Sequence, residues 1–252
     1  MVIGLDRFRA QFAGCEDQYT LIGGAACEVH MQRAGLEFRA TKDLDIVLCV
    51  EVLDAAFATR FLAFVEAGGY EQRERSTGGK QFYRFIKPAD KSFPHMLELF
   101  SRRPDTISLA PNSTLTPIPI DQDIASLSAI LLDDGYYALL RSGMTLIDGI
   151  SVLDVATLIP FKAVAFLNLG RIRQDGGKVD QKDITKHRND VFRLLQLMTA
   201  GPAINLPDTI KTDLAAFAEL VAADAGFVPK YLGLRPAGAA EQVARLRTVY
   251  GL

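Results

Sequence analysis

Cysteine is scarce: Cys15, Cys27 and Cys49 form no CxxC, and their number is odd. That argues against a disulfide framework or a thiolate metal knuckle and fits a reduced, cytoplasmic protein. Each cysteine reads as a small buried hydrophobe. Net charge is also small. The chain has 28 Lys and Arg against 30 Asp and Glu, a formal charge of -2, so no overall basic field draws it to nucleic acid or to a membrane. Contact with a polynucleotide must come from local basic patches. Asp6, Arg7 and Arg9 stand where a signal peptide needs an apolar run. No stretch approaches the ~20 apolar residues of a membrane helix, so no membrane partner is expected. Internal repeats and low-complexity tracts are missing as well.

What is present suits one large domain or two small ones: 252 residues, 49% hydrophobic and 23% charged. After a short amphipathic lead-in helix within residues 1–18, Tyr19-Thr20-Leu21-Ile22 reads as a buried strand closed by Gly23-Gly24. Two glycines after an apolar strand permit positive φ and leave backbone N–H groups uncovered. Such a turn can cradle phosphate oxygens when a helix starts there. Ala25 to Ala34 supplies the helix and Gly35 its stop.

Asp43 to Val50 reads as a second strand. Strand side chains alternate, so Asp43 and Asp45 share one face while Leu44, Ile46 and Leu48 share the other. With 30 acids in the chain such pairs also arise by chance, and Asp121-Gln122-Asp123 is another. That second pair follows the proline-containing run Pro117-Ile118-Pro119-Ile120 and reads as a solvated turn. The first opens an apolar strand, where close carboxylates repel and lose hydration. A cation between them removes that cost, and hard oxygen ligands beside a phosphate-cradling turn point to Mg²⁺.

Glu51 to Ala67 has the spacing of an amphipathic helix ended by Gly68-Gly69. Residues 71–80 are polar. Gln81 to Ile86 and His95 to Phe100 then read as two strands joined through Lys87 to Pro94. Glu98 is the lone acid of the second. It supplies a third carboxylate if that strand lies beside the Asp43–Asp45 strand, and faces water if the strand is an edge. Residues 101–123 read as a loop-rich connection, and Gly143 to Val152 as a hairpin around Asp148-Gly149. A domain boundary is placed near residue 150, giving domains 1–150 and 151–252.

The second domain reads as mainly helical. Pro160 suits a first helical turn, followed by Phe161 to Leu169. Lys162 in that apolar helix either snorkels to water or reaches an anion. Arg171, Arg173 and Lys178 fall in a basic loop before a helix from Lys182 onward. On it Ile184, Val191 and Leu195 form a core stripe, followed by Met198. Residues 171–193 hold seven Lys or Arg against four Asp, either a solvated face or a wall that touches phosphate. Helices within Thr209 to Ala223 and Gly238 to Tyr250 complete the chain.

Ile22-Gly23-Gly24, a helix, and then Arg39-Ala40-Thr41-Lys42-Asp43-Leu44-Asp45-Ile46 resemble the hG[G/S]…DxD signature of the nucleotidyltransferase superfamily, the DNA polymerase β-like fold. The closer likeness is to AbiEii-type nucleotidyltransferases, toxins of abortive-infection toxin–antitoxin systems. Their later lysine and Lys-Asp helix have counterparts in Lys162 and in Lys182-Asp183 to Asp190. Gly24 departs from the serine of many members, and Lys186 interrupts the usual Asp-x-x-Asp spacing after Asp183. The resemblance implies an α+β fold, a mixed sheet with helices followed by a mainly helical C-terminal domain. It implies Mg²⁺ held by Asp43, Asp45 and Glu98, with Lys162 as an electrostatic partner. Gly23, Gly24, Thr41, Lys182 and Asp183 would lie on the nucleotide side. The activity implied is transfer of NMP from an NTP to an RNA, notably tRNA, or to a protein hydroxyl. A cognate antitoxin would be the protein partner. A catalytically silent nucleotide- or partner-binding relative, and a small-molecule (antibiotic) adenylyltransferase, are the alternatives.

Overall fold

Helix caps and alternating strands divide the chain, and a computed structural model describes residues 2–39, 41–49, 52, 54–72, 82–101, 130, 133–199, 201–235 and 238–252. In chain order the elements are α1 (Leu5–Gln11), β1 (Tyr19–Ile22), α2 (Gly23–Arg33), β2 (Asp43–Leu48), α3 (Ala55–Gly68), β3 (Glu71–Gln72), β4 (Phe82–Ile86), β5 (Met96–Ser101), α4 (Asp134–Ser142), β6 (Met144–Ile147), β7 (Ile150–Leu153), α5 (Val155–Gln174), α6 (Gln181–Leu195), α7 (Asp208–Ala222), a 3₁₀ turn (Pro229–Leu232) and α8 (Ala239–Tyr250). They fall into two compact units, one from Met1–Asp121 with Met144–Leu153, the other from Gln122–Gly143 with Asp154–Leu252. The sequence suggests one boundary near residue 150; the β6–β7 hairpin instead returns the chain to the first unit before the second resumes. Most of the polar stretch 71–80, nearly all of the connection 101–123, and the Asp121–Asp123 pair lie outside the described residues.

The first unit carries a mixed sheet of seven strands, ordered β3-β4-β5-β2-β1-β7-β6. With the helices of both units this is the expected α+β class. β2 lies between antiparallel β1 and parallel β5. Residues opposite one another in a ladder share a face. Tyr19, Leu21, Leu44, Ile46, Phe85, Leu97 and Leu99 therefore fall on one face, all buried. Aromatic rings from α1, its C-cap and α3 cover that face. Ring centroids lie 5.2 Å apart for Phe8 and Tyr19, 5.1 Å for Phe12 and Phe57, and 5.5 Å for Phe61 and Phe85. The other face carries Asp43, Asp45, Arg84 and Glu98. All three cysteines are buried, and none is in a disulfide.

Caps set the helix limits. α3 starts at Ala55, later than the helical spacing suggests, because Asp54 accepts the Phe57 N–H at 2.7 Å. Gln18 donates to the other Asp54 oxygen at 3.2 Å. Gly69, with φ +58°, ends the helix. The β6–β7 hairpin turns on Asp148 and Gly149, with φ +48° and +78°, the pair of positive values that a two-residue loop matching strand twist requires.

In the second unit α5 corrects the expectation for Pro160. The helix begins at Val155 behind an Asp154 cap, which accepts the Thr157 N–H at 2.7 Å, so Pro160 is its sixth residue. Proline has no N–H to bond the carbonyl four residues back, that of Ala156. The Tyr250 hydroxyl donates to that carbonyl instead, at 2.8 Å from a fully buried ring. α5 also runs on to Gln174, so Arg171 and Arg173 lie in its last turn and not in a loop. At 20 residues it is long and apolar enough to cross a membrane, which the sequence did not lead one to expect; 56% of its most apolar window is buried. On α6, Ile184, Val191 and Leu195 are buried as the stripe requires. Phe192 packs its ring 4.4 Å from Phe227 and 6.0 Å from Phe217.

Tyr250→Phe leaves the Ala156 carbonyl without its donor in a buried setting, and is expected to lower stability by about 1–3 kcal/mol, read as a shift in the urea midpoint at unchanged slope. Asp54 is held below the usual carboxylate range, first by the Phe57 N–H and then by Gln18. A lowered folded pKa contributes stability above the unfolded value that disappears as pH falls through the folded one. Asp54→Asn is therefore expected to lower Tm at neutral pH and to flatten its decline below about pH 4, measured by thermal scans from pH 7 to pH 2.

Candidate active site

The acidic face of β2 is completed by its neighbours. The parallel register sets Asp45 opposite Glu98 and Asp43 opposite Met96. The β4–β5 register sets Arg84 opposite Glu98 on the far side. Asp45, Glu98 and Arg84 thus form a row across three strands, with Asp43 two residues before Asp45. β5 is an interior strand, and Glu98 is 7% exposed, so it does not face water from an edge.

Glu98 Oε1 accepts from Arg84 Nε at 2.7 Å, and a terminal guanidinium nitrogen lies 2.6 Å from the same oxygen as an ion pair. The carboxyl also hydrogen-bonds Asp45. Its pKa is pushed up to about 9, first by burial, then by the Asp45 charge and the hydrogen bond with Asp45, while Arg84 pulls the other way. Near neutral pH this favours the protonated form of Glu98. His95 joins the edge of the site, with Nδ1 3.8 Å from Asp43 Oδ1.

The glycine turn abuts the same carboxylates. α2 begins at Gly23, whose φ is +65°, and a Cβ there would stand 1.6 Å from Asp45 Oδ2. The carboxylate thus rests on backbone that admits no side chain. At Gly24 a Cβ would meet Thr41 Oγ1 at 2.7 Å and an Arg39 guanidinium nitrogen at 3.4 Å. Thr41 puts a hydroxyl where a side chain at position 24 would otherwise reach. No side chain caps the start of α2, so its first N–H groups have no capping side chain as a partner.

Among the described residues no three His, Cys, Asp or Glu side chains converge closely enough to hold a metal ion as they stand. The donor chemistry nonetheless fits a hard divalent cation. Asp43, 40% exposed at its side chain, and Asp45 offer oxygens, and a cation offsets the repulsion between the facing carboxylates. Glu98 can join as a third ligand in its ionised form.

Three expected residues belong to the second unit. Lys162 does not snorkel: its Nζ lies 3.2 Å from Asp190 Oδ2, with the two side chains 6% and 0% exposed. Arg193 approaches the other Asp190 oxygen at 3.5 Å. Lys182 is exposed at the start of α6, where its N–H meets the Asp180 cap at 2.9 Å. Asp183 pairs with Lys186 at 3.6 Å. Of the basic run, Arg173 and Arg188 line a cavity of about 380 Å³ with Gln174, Gln181, Thr185 and Asp224. Arg188 is ion-paired with Asp224 and lies 5.1 Å from the centre of the Phe227 ring.

Sequence reasoning missed Arg84 and His95 beside the acidic row, and had Arg39 only as part of the family motif, with no role in the site. For Arg84 a signal existed, because the hairpin register between the two strands puts it directly across from Glu98. His95 and Arg39 sit at a strand entrance and in a loop, where sequence fixes no direction.

No family model matches the chain, and no curated protein matches it. Among solved structures it is similar to an antigenic nucleotidyltransferase-like protein from Paracoccidioides brasiliensis, at 15% identity over 99% of this chain and 96% of that one, with a TM-score of 0.47. It is also similar to the antibiotic-resistance factor ANT(2'')-Ia, at 13% identity over 87% of this chain and 91% of that one, with a TM-score of 0.40. At these levels the chemistry has to be argued from the residues themselves.

Gly23→Ala forces a side chain into left-handed backbone and onto Asp45. It is expected to cost about 1–2 kcal/mol from the backbone alone, checked by thermal melts.

Proposed function

We propose that the chain is a Mg²⁺-dependent nucleotidyltransferase that moves NMP from an NTP to a hydroxyl acceptor. The observation that carries this reading is the register of Asp45 against Glu98, beside Asp43 and over the Gly23 backbone. A divalent cation on Asp43 and Asp45, when bound, neutralises the triphosphate and supports in-line displacement at the α-phosphorus with pyrophosphate leaving. The N–H groups of Gly23 and Gly24 and the Thr41 hydroxyl hold phosphate oxygens. Glu98, in its ionised form, takes the proton of the attacking hydroxyl.

The acceptor we favour is RNA, with tRNA foremost, or a protein hydroxyl. The supporting feature is the basic run 171–193, which suits an anionic acceptor better than a cationic antibiotic. A toxin of a cytoplasmic toxin–antitoxin pair, of the AbiEii type, is the biological role that goes with this reading. A second reading has its own support: Arg84 and Asp45 already occupy Glu98, as they would in a catalytically silent nucleotide-binding relative.

The protein with Mg²⁺, each labelled NTP in turn, and total RNA plus the protein itself as acceptors is expected to place label in RNA or protein. Asp43→Asn/Asp45→Asn reduces label to background while its melting curve stays cooperative. Transfer persisting in that folded variant overturns the proposal. NTP binding without label in any lane favours the silent relative or a small-molecule acceptor.

A further inference from the structure

Glu98 is not free to turn. Its side chain is 10% exposed and that of Arg84 18%, and their strands hold them in register. The guanidinium donates through Nε to Oε1, and its ion pair falls on the same oxygen. Oε2 is then the oxygen that Glu98 has left to present toward Asp45. The same contact brings a permanent positive charge to within one side chain of the carboxylates that would hold a cation. A guanidinium there works against cation binding, since like charges this close repel even with partial solvent screening. A site built for cation affinity alone has no use for it, and orientation of Glu98 is what the geometry obtains in exchange.

We propose that Arg84 is a positioning residue for nucleotidyl transfer, fixing which Glu98 oxygen faces Asp45 and the attacking hydroxyl at the expense of cation affinity. The turnover part rests on the nucleotidyltransferase reading; the cation part does not. A merely structural Arg84 satisfies a buried carboxylate and leaves turnover alone.

The two roles separate by variant. Arg84→Lys keeps the charge and loses the planar fork. It is expected to hold its Mn²⁺ affinity within about twofold, by electron paramagnetic resonance titration of the full chain, while kcat falls at least about tenfold with KM for the NTP little changed. The charge is tested where no buried carboxylate is left unpaired: Arg84→Met in a Glu98→Gln background is expected to bind Mn²⁺ about five- to tenfold tighter than Glu98→Gln alone. Both double and single variants are compared by melting curves, so a misfolded protein is recognised as such.

Wild-type kcat in Arg84→Lys overturns the positioning role. Equal or weaker Mn²⁺ binding in the folded double variant overturns the cation cost. If wild-type protein transfers no nucleotide to any acceptor, the nucleotidyltransferase reading falls, and the Mn²⁺ comparison still decides whether Arg84 opposes the cation.

Discussion

Two carboxyl groups on neighbouring strands, one of them buried, cannot both be charged without something to offset their repulsion. In this protein the pair is Asp45 and Glu98, placed side by side by a parallel register. Three features of the first unit respond to that constraint. The proton affinity of Glu98 is raised, Arg84 grips Glu98 from β4, and Gly23 leaves Asp45 room against bare backbone. None has meaning without the others. Apolar surroundings raise the cost of the charges, and the same surroundings make the offsetting contacts strong.

The sheet can carry this arrangement because its two faces are assigned different tasks. One face is closed by aromatic rings from α1 and α3, a large apolar contact that fixes the strands. The register that this packing selects also determines which residues meet on the opposite face, since a slip of one residue exchanges the faces. Burial of Leu44 and Ile46 and alignment of Asp43 and Asp45 are thus one event seen from two sides.

The second unit meets a similar problem with different means. Asp190 is wholly buried in a helix and is matched by Lys162 and, less closely, Arg193. A buried pair of this kind adds little net stability, but removing one partner strands the other charge. The proline inside α5 is a polar problem of the same form, an unpaired carbonyl at Ala156, and a tyrosine 94 residues away answers it.

Much of this was readable in the chain itself. Alternation of apolar and acidic residues in 43–48 determined both the strand and the shared face of Asp43 and Asp45, because strand geometry has period two whatever the fold. The glycines at 23–24 marked a turn that only small residues allow, and Asp148-Gly149 marked a hairpin for the same reason. Helix limits were less readable: Asp54 and Asp154 cap α3 and α5 through local contacts that compete with hydrophobic spacing, and Pro160 is tolerated inside a helix because of a distant hydroxyl. Only the tertiary structure decided that β5 lies parallel to β2, so that Glu98 stands beside Asp45, and that Lys162 finds Asp190. Strand order and partner choice depend on contacts between segments far apart in sequence, whereas periodicity reports only the environment of each segment by itself.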